Sequence, residues 1–475
     1  MTMEFRTRVN SHRWLSTSDR QLSVVLEVDA TGLVSGDAPP AAAEVIVVDC
    51  SGSMSLPPTK IAAARRATAA AVDALRDGVR FALVQGTDTA RLLYPQAARM
   101  ATADAESRAQ ARRAAADMIA SGGTAMGSWL LLARDLLAAH PGAIRHAILL
   151  TDGQNVGETP EQLGAALREC AGEFDCDARG IGADWAPAEL HRITSALRGR
   201  ADAVRAEADL VGDFAGLITE AMRKVVPEVR IRVETRPGTR IRFVKQVFPT
   251  ELELTAEAVK PDEHTTEFAT GSWSADIRHF HLGLTVDPAG APLRTDVEIG
   301  SVRLAATRPG RTRAEPVGAA QPLLVHWSAE EPGSRQGDPA VGHYLGQAAL
   351  RQLVLAGCEA LDQGDRSRAA ELLGEAVQLA TASGNTEQLT RIGRLAEILD
   401  AAKGRIRIRD RVEPVDLLAA EAGSVLSVIA PAGAPEPAPE PAPEPDRPDR
   451  RCACCDLVWP GSANFCEITG RELTG

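Results

Sequence analysis

The chain has 475 residues, enough for about three domains of ordinary size. A net charge of −12 argues against a nucleic-acid or anionic-membrane surface, and no apolar run approaches the about 18 residues of a membrane-crossing helix. Met1 to Val9 carry no apolar signal core, and Cys50, Cys170, Cys176 and Cys358 are scattered rather than spaced as a secreted disulfide framework, so a cytoplasmic location is expected. Nearly all basic residues are Arg; only Lys60, Lys224, Lys245, Lys260 and Lys403 are lysine. With the richness in Ala and Pro, this reads as a GC-rich bacterial coding bias rather than as function.

Residues 1–42 cannot form a core of their own. Leu22, Val24, Leu26 and Val28 alternate with Ser23, Val25, Glu27 and Asp29, which predicts one half-buried strand in need of a partner. Val45 to Val48 form a continuous apolar run, the pattern of a strand buried on both faces inside a parallel sheet. Asp49, Ser51 and Ser53 follow at its carboxyl end, before an Ala-rich helix over Lys60 to Leu75. In open α/β sheets ligands sit in that crevice, and oxygen side chains at alternate positions converge on one hard cation. Arg80 to Val84 predict the second strand, and helices near 104–120 and 127–139 flank Gly122-Gly123-Thr124. Ala147 to Leu150 form another apolar strand ending at Thr151-Asp152-Gly153. Helices over Pro160–Glu169, Leu190–Leu197 and Val211–Val225 and a short strand at Cys176–Gly182 complete an alternating α/β pattern. The first strand is not followed by G-x-G-x-x-G, which excludes a dinucleotide-binding turn.

Asp49-x-Ser51-x-Ser53, Thr124 and Asp152 together closely resemble the metal-ion-dependent adhesion site of the von Willebrand factor A family, over about residues 43–225. The resemblance implies a doubly wound, mostly parallel sheet. It also implies that Ser51, Ser53 and Thr124 supply hydroxyls, and Asp49 and Asp152 carboxylates, to a Mg²⁺ or Mn²⁺ ion.

From about residue 227 the period changes to two. Val229, Ile231 and Val233 alternate with Arg230, Arg232 and Glu234, and further strands are predicted at 240–248, 267–273, 277–286, 297–305 and 323–327. This pattern predicts a β-sandwich that the strand at 22–28 completes, which makes the α/β domain an insertion. His279 and His281 are expected to face outward, because Phe280, Leu282, Leu284 and Val286 mark the buried face. Asp338-Pro339 signals a helix start, and three helices are predicted over 344–361, 366–382 and 386–403. The middle hairpin faintly resembles a tetratricopeptide unit, yet one hairpin is not an array, and a small bundle on the sandwich is preferred. Arg405, Arg407, Arg409 and Arg411 read as a solvated strand face rather than a site for an acidic partner.

Ala-Pro-Glu-Pro repeats within 430–450 predict an extended, negatively charged spacer. Beyond it, Cys452-x-x-Cys455 and Phe465-Cys466 with Gly470 resemble a zinc-ribbon tail whose fourth ligand position holds Thr469. A Zn²⁺ site of Cys452, Cys455 and Cys466 would need completion by Cys454, water or another chain; a decayed knuckle without metal is the alternative. The expected organisation is thus 1–42 completing the sandwich, 43–226 the inserted α/β domain, 227–332 the sandwich and 333–404 the three-helix bundle. A connecting segment (405–429), the linker (430–450) and the tail (451–475) follow.

Hydroxyl-rich coordination with only two carboxylates leaves residual positive charge, so a partner protein's Asp or Glu can complete the site. The expected function is a metal-dependent, non-catalytic adaptor. By family analogy its partner is an ATPase or a kinase and phosphatase system, with no nucleic acid or membrane involved. A metal-assisted phosphohydrolase is the competing class, but the cluster offers no separate general base, no second-metal carboxylates and no P-loop. A scaffold that never uses the metal is the third.

Overall fold

The computed structural model describes residues 4–33, 39–97, 99–328, 338–429, 450–451 and 458–459. Within 1–431, which forms one compact unit, the strand Ala42–Asp49 lies at the centre of a seven-stranded sheet. From one edge the order is Ala201–Val204, Asp175–Ile181, Ile144–Thr151, Ala42–Asp49, Arg80–Gly86 and Ala90–Tyr94, with Ala101–Thr102 also pairing to Arg80–Gly86. Pairing is parallel except for the two short strands on Arg80–Gly86. All eight residues of Ala42–Asp49 are buried, as a strand covered by helices on both faces requires. Ile46 and Val48 pack with Ala67, Ala71, Phe214 and Ile218 on one face; Val45 and Val47 pack with Trp129, Leu130 and Leu149 on the other. Each such large apolar side chain contributes about 1.5–3 kcal/mol on burial. The chain adds strands to one side of Ala42–Asp49 and then returns to the other, so the carboxyl ends of Ala42–Asp49 and Ile144–Thr151 form the topological switch point.

Two five-stranded sheets make the β-sandwich. One runs Arg6–Ser11, Gln21–Asp29, Ile277–Val286, Thr239–Phe248, Leu252–Glu253, and the other Thr265–Ala269, Glu228–Thr235, Asp296–Thr307, Ala314–Ser328, Trp14–Ser16. Gln21–Asp29 pairs with Ile277–Val286 and not with the parallel sheet, so the α/β domain is inserted between sandwich strands. The segment before residue 42 holds three strands in two sheets rather than the single strand expected, and only the third carries a long alternating pattern. The expected strand over 267–273 ends at Ala269.

Three readings need correction. His279 and His281 do lie on the face away from the sandwich core, but that face is dry. The helix Pro339–Asp362 covers it, burying Val25, Val247 and Tyr344 between them, and both histidines are buried. The alternation tells inside from outside, not what later packs on the outside. The helices Pro339–Asp362 and Arg366–Ser383 are followed by a shorter one, Thr386–Leu395, where a helix to Lys403 was expected. Ala396–Asp400 and Arg405–Ile408 instead form a hairpin that pairs Ile398 with Ile406, turning at Gly404 with φ 60°. Leu395 and Leu399 mimic a helical i,i+4 pair, although period two already begins there. Arg405 and Arg407 are exposed on this hairpin and pair with Asp400 and Glu397. The segment taken as a connection carries a further helix, Pro414–Ala422. In the second unit, 432–475, Arg450–Arg451 pairs with Val458–Trp459; Cys452, Cys455 and Cys466 lie outside the described residues.

The starts of the central strands carry a buried ionic cluster. His146 Nδ1 donates to Glu44 at 2.9 Å and its Nε2 to Asp177 at 3.1 Å. Burial and Lys224 oppose the imidazolium, but Glu44 and Asp177 outweigh them and push it up to about 9. With the folded value above the ordinary 6.5, this stabilisation is complete below about pH 6.5 and is lost as pH rises through about 9. Wild type should therefore exceed His146→Gln in urea-measured stability by on the order of 2–3 kcal/mol more near pH 6 than near pH 10. A pH-independent difference would contradict the ionic assignment.

Candidate functional site

At the switch point the chain leaves Asp49, passes through the short helix Gly52–Ser55 and enters Thr59–Ala74. Asp49 is fully buried; its Oδ1 accepts from the Ser51 backbone N–H at 2.7 Å and its Oδ2 from the Thr151 hydroxyl at 2.6 Å. The first bond closes an Asx turn that fixes Ser51 over the strand end. Ser51 Oγ lies 2.9 Å from Ser53 Oγ, which donates to Asp152 Oδ1 at 2.7 Å. The other oxygen of Asp152 accepts from Lys60 Nζ at 2.8 Å, and Lys60 also reaches Asp184 at 3.4 Å. A β-carbon on Gly153 would sit 3.5 Å from Ser53 Oγ and 3.9 Å from Thr124 Oγ1, so both hydroxyls border Gly153. Four of the expected residues are thus linked by hydrogen bonds, and the fifth, Thr124, brings its hydroxyl beside Gly153, next to Asp152.

Backbone contacts hold the Thr124 loop. Gly52 N–H donates to Gly122 O at 2.9 Å, Ser121 N–H to Cys50 O at 2.7 Å, and Gly157 N–H to Thr124 O at 2.7 Å. Gly122 has φ 80°, a conformation that excludes most side chains. Asp88 accepts from Gly123 N–H at 2.8 Å, while Glu158 and Asn155 accept from the first N–H groups of the helix Met126–Ala138. A β-carbon on Gly86 would collide with the Trp129 ring, so this glycine lets that helix close against the sheet.

The charges are not balanced. Burial pushes the Asp49 carboxyl up, and Asp152 adds to it, against the hydrogen bonds from Ser51 and Thr151. Burial opposes the Lys60 ammonium, yet its bonds to Asp152 and Asp184 hold it above its ordinary value. Cys50 is pushed up to about 12 by burial and by Asp49, so it is an inert thiol rather than a nucleophile. Among the described residues, Asp49 has no cationic side chain within ion-pair distance, and no three His, Cys, Asp or Glu side chains form a metal-binding group. A cation here would find hydroxyls as most of its donors and one uncompensated buried carboxylate, a donor set suited to a hard divalent ion.

Sequence reasoning missed Lys60, Thr151, Asp88, Asn155 and Glu158. Lys60 alone left a trace, as a lysine at a helix start in a chain that otherwise uses Arg.

The crest, the oxygen-lined rim at the carboxyl ends of Ala42–Asp49 and Ile144–Thr151, thus tops a doubly wound α/β domain set into a β-sandwich. The family described as von Willebrand factor type A domain matches residues 43–203, and its C-terminal domain matches 378–424. A solved von Willebrand factor type A protein from Catenulispora acidiphila is 35% identical, with a TM-score of 0.82, covering 90% of this chain and 98% of that one. The ArnB paralog VWA2 from Sulfolobus acidocaldarius shares the fold at 12% identity and a TM-score of 0.54, with coverage of 90% and 98%. No curated protein matches. The chain belongs to the von Willebrand factor A family.

Removing Lys60 would leave Asp152 buried without its cation. Lys60→Met should therefore lower unfolding free energy by about 3–5 kcal/mol in metal-free buffer, and Lys60→Met with Asp152→Asn by much less than the sum of the two. Additive losses in urea titrations would show that the pair is not coupled.

Proposed function

We propose that the crest is a metal-ion-dependent adhesion site through which the protein binds an acidic residue of a partner protein. Asp49, Ser51, Ser53, Thr124 and Asp152 would hold one Mg²⁺ or Mn²⁺. The observation that carries this reading is Asp49, a wholly buried carboxylate joined to the hydroxyl set and lacking any cationic partner among the described residues. Lys60 is already engaged by Asp152 and Asp184, so the charge of Asp49 is left for a divalent ion to offset. When bound, the ion supplies an open Lewis-acid position that an Asp or Glu from outside fills.

The surroundings favour a protein as that partner. Leu56, Ile119 and Val156 are 73%, 67% and 76% exposed, and each sits on one of the three loops that carry the crest residues. Apolar side chains around a charged centre suit a protein interface with a polar anchor. The reading assigns no catalytic role, and an ATPase or kinase and phosphatase partner remains its family-level expectation. Cys50, Cys170, Cys176 and Cys358 are free and buried, which fits a reducing, cytoplasmic setting. Among the described residues no helix is long and apolar enough to cross a membrane. A Zn²⁺ held by Cys452, Cys455 and Cys466 is part of the proposal on sequence grounds alone.

Calorimetry should show one Mg²⁺ or Mn²⁺ bound per chain in wild type and none at this site in Asp49→Ala with Asp152→Ala. Unchanged stoichiometry would refute the ligand set. Leu56→Asp with Val156→Asp should keep cation affinity within about threefold yet abolish magnesium-dependent capture of partner from native lysate. Undiminished capture would place the interface elsewhere.

A further inference from the structure

Lys60 stands between two carboxylates in unlike surroundings. Its ammonium lies 2.8 Å from Asp152, which is wholly buried, and 3.4 Å from Asp184, whose side chain is 71% exposed. The end of the lysine stem lies beside Gly182, where a β-carbon would sit 3.5 Å from Lys60 Cε and 3.7 Å from Nζ. Asp184 belongs to the turn between the strand Asp175–Ile181 and the helix Pro187–Ala196. Its neighbour Trp185 pins that turn. The buried indole donates to Gly182 O at 3.3 Å and fills the space that a β-carbon on Gly180 would take. Asp184 is thus held where it offers the ammonium a second, solvent-exposed partner.

Both oxygens of Asp152 are engaged, Oδ2 by Lys60 and Oδ1 by the Ser53 hydroxyl. An ion at the crest would meet a carboxylate whose charge is already neutralised, with a like charge beside it. The residue type suits an exchange. An ammonium on a flexible stem can turn from one acid to another, whereas a guanidinium grips a carboxylate through a rigid fork. This chain uses Arg for nearly all its basic residues, yet it has lysine here. Lys60 also lies in the first turn of Thr59–Ala74, where the helix dipole disfavours a cation, so the two acids rather than the helix hold it in place.

We propose, on the reading that the crest holds one divalent ion, that Lys60 is the counter-ion of the empty site. It stays on Asp152 until the site fills and then passes to Asp184, and in doing so it weakens ion binding. The exchange also neutralises Asp184, removing an exposed negative charge beside the site that a partner's carboxylate is to enter.

Calorimetric titration of the full chain with Mn²⁺ tests it. Lys60→Met should tighten Mn²⁺ binding by about tenfold or more, because the charge of Asp152 becomes available to the ion. Lys60→Arg should bind no tighter than wild type. Asp184→Asn should weaken binding about threefold in wild type but change it less than about twofold in Lys60→Met, where no ammonium is left to take up. Circular dichroism checks folding. If Lys60→Met does not fold, Lys60→Gln replaces it; if neither folds, unchanged Mn²⁺ affinity in Asp184→Asn overturns the inference. Equal or weaker Mn²⁺ binding in the uncharged variants would also overturn it, leaving Lys60 as a residue that positions Asp152 and the crest assignment intact. An equal loss from Asp184→Asn in both backgrounds would overturn the passage to Asp184. Absence of Mn²⁺ binding at the crest in wild type and uncharged variants alike would instead refute the crest reading itself.

Discussion

Two buried carboxylates stand at the ends of adjacent parallel strands, and the one ammonium group beside them reaches only one of the two. Asp49 and Asp152 sit where the sheet order reverses, and Lys60 compensates only the second. Taking a carboxylate out of water costs several kcal/mol unless charge or hydrogen bonds replace the solvent. Ser51 N–H and Thr151 replace part of it for Asp49 but bring no charge. That imbalance is what the proposed divalent ion would resolve, and it is why the crest favours an anionic ligand once the ion is present.

The rest of this unit holds that crest in place. The insertion is anchored to the sandwich by Asp175, whose carboxylate takes bonds from Ser272 N–H at 3.1 Å, the Ser272 hydroxyl, Arg198 at 3.2 Å and Lys224 at 3.3 Å. Burial opposes this charge, but Lys224, Arg198 and Ser272 together hold the acid well below its ordinary range. The anchor lies at the starts of the strands, as does the Glu44, His146 and Asp177 cluster, whereas the residues proposed to bind the ion lie at their ends. Charge satisfied at one end fixes the sheet on its frame; charge left uncompensated at the other is what the proposed ion would meet. The helix Pro339–Asp362 and the segment that follows Pro414–Ala422 cover the outer face of the sandwich.

What could be read from the sequence was local. Val45 to Val48 and Ala147 to Leu150 are apolar runs with oxygen side chains directly after them, so strand ends and crest residues were legible together. The alternation in Leu22 to Val28 assigned a half-buried strand, and it lies in the sandwich. What escaped depends on elements far apart in sequence. Lys60 meets Asp152 only because the helix Thr59–Ala74 starts beside the end of Ile144–Thr151. His281 follows the alternation faithfully, but nothing near it announces the helix that covers its face. Leu395 and Leu399 keep a helical spacing, but pairing of Ala396–Asp400 with Arg405–Ile408 decided for the strand.

Anomalous diffraction from crystals soaked in Mn²⁺ tests the central claim most directly, because it locates the ion rather than its effects. One strong peak bounded by the oxygens of Ser51, Ser53 and Thr124, lost in Asp49→Ala, is the expected result. A crest without a peak at saturating Mn²⁺, or a peak held by other residues, would contradict it and leave Asp49 as a buried acid with a structural role alone.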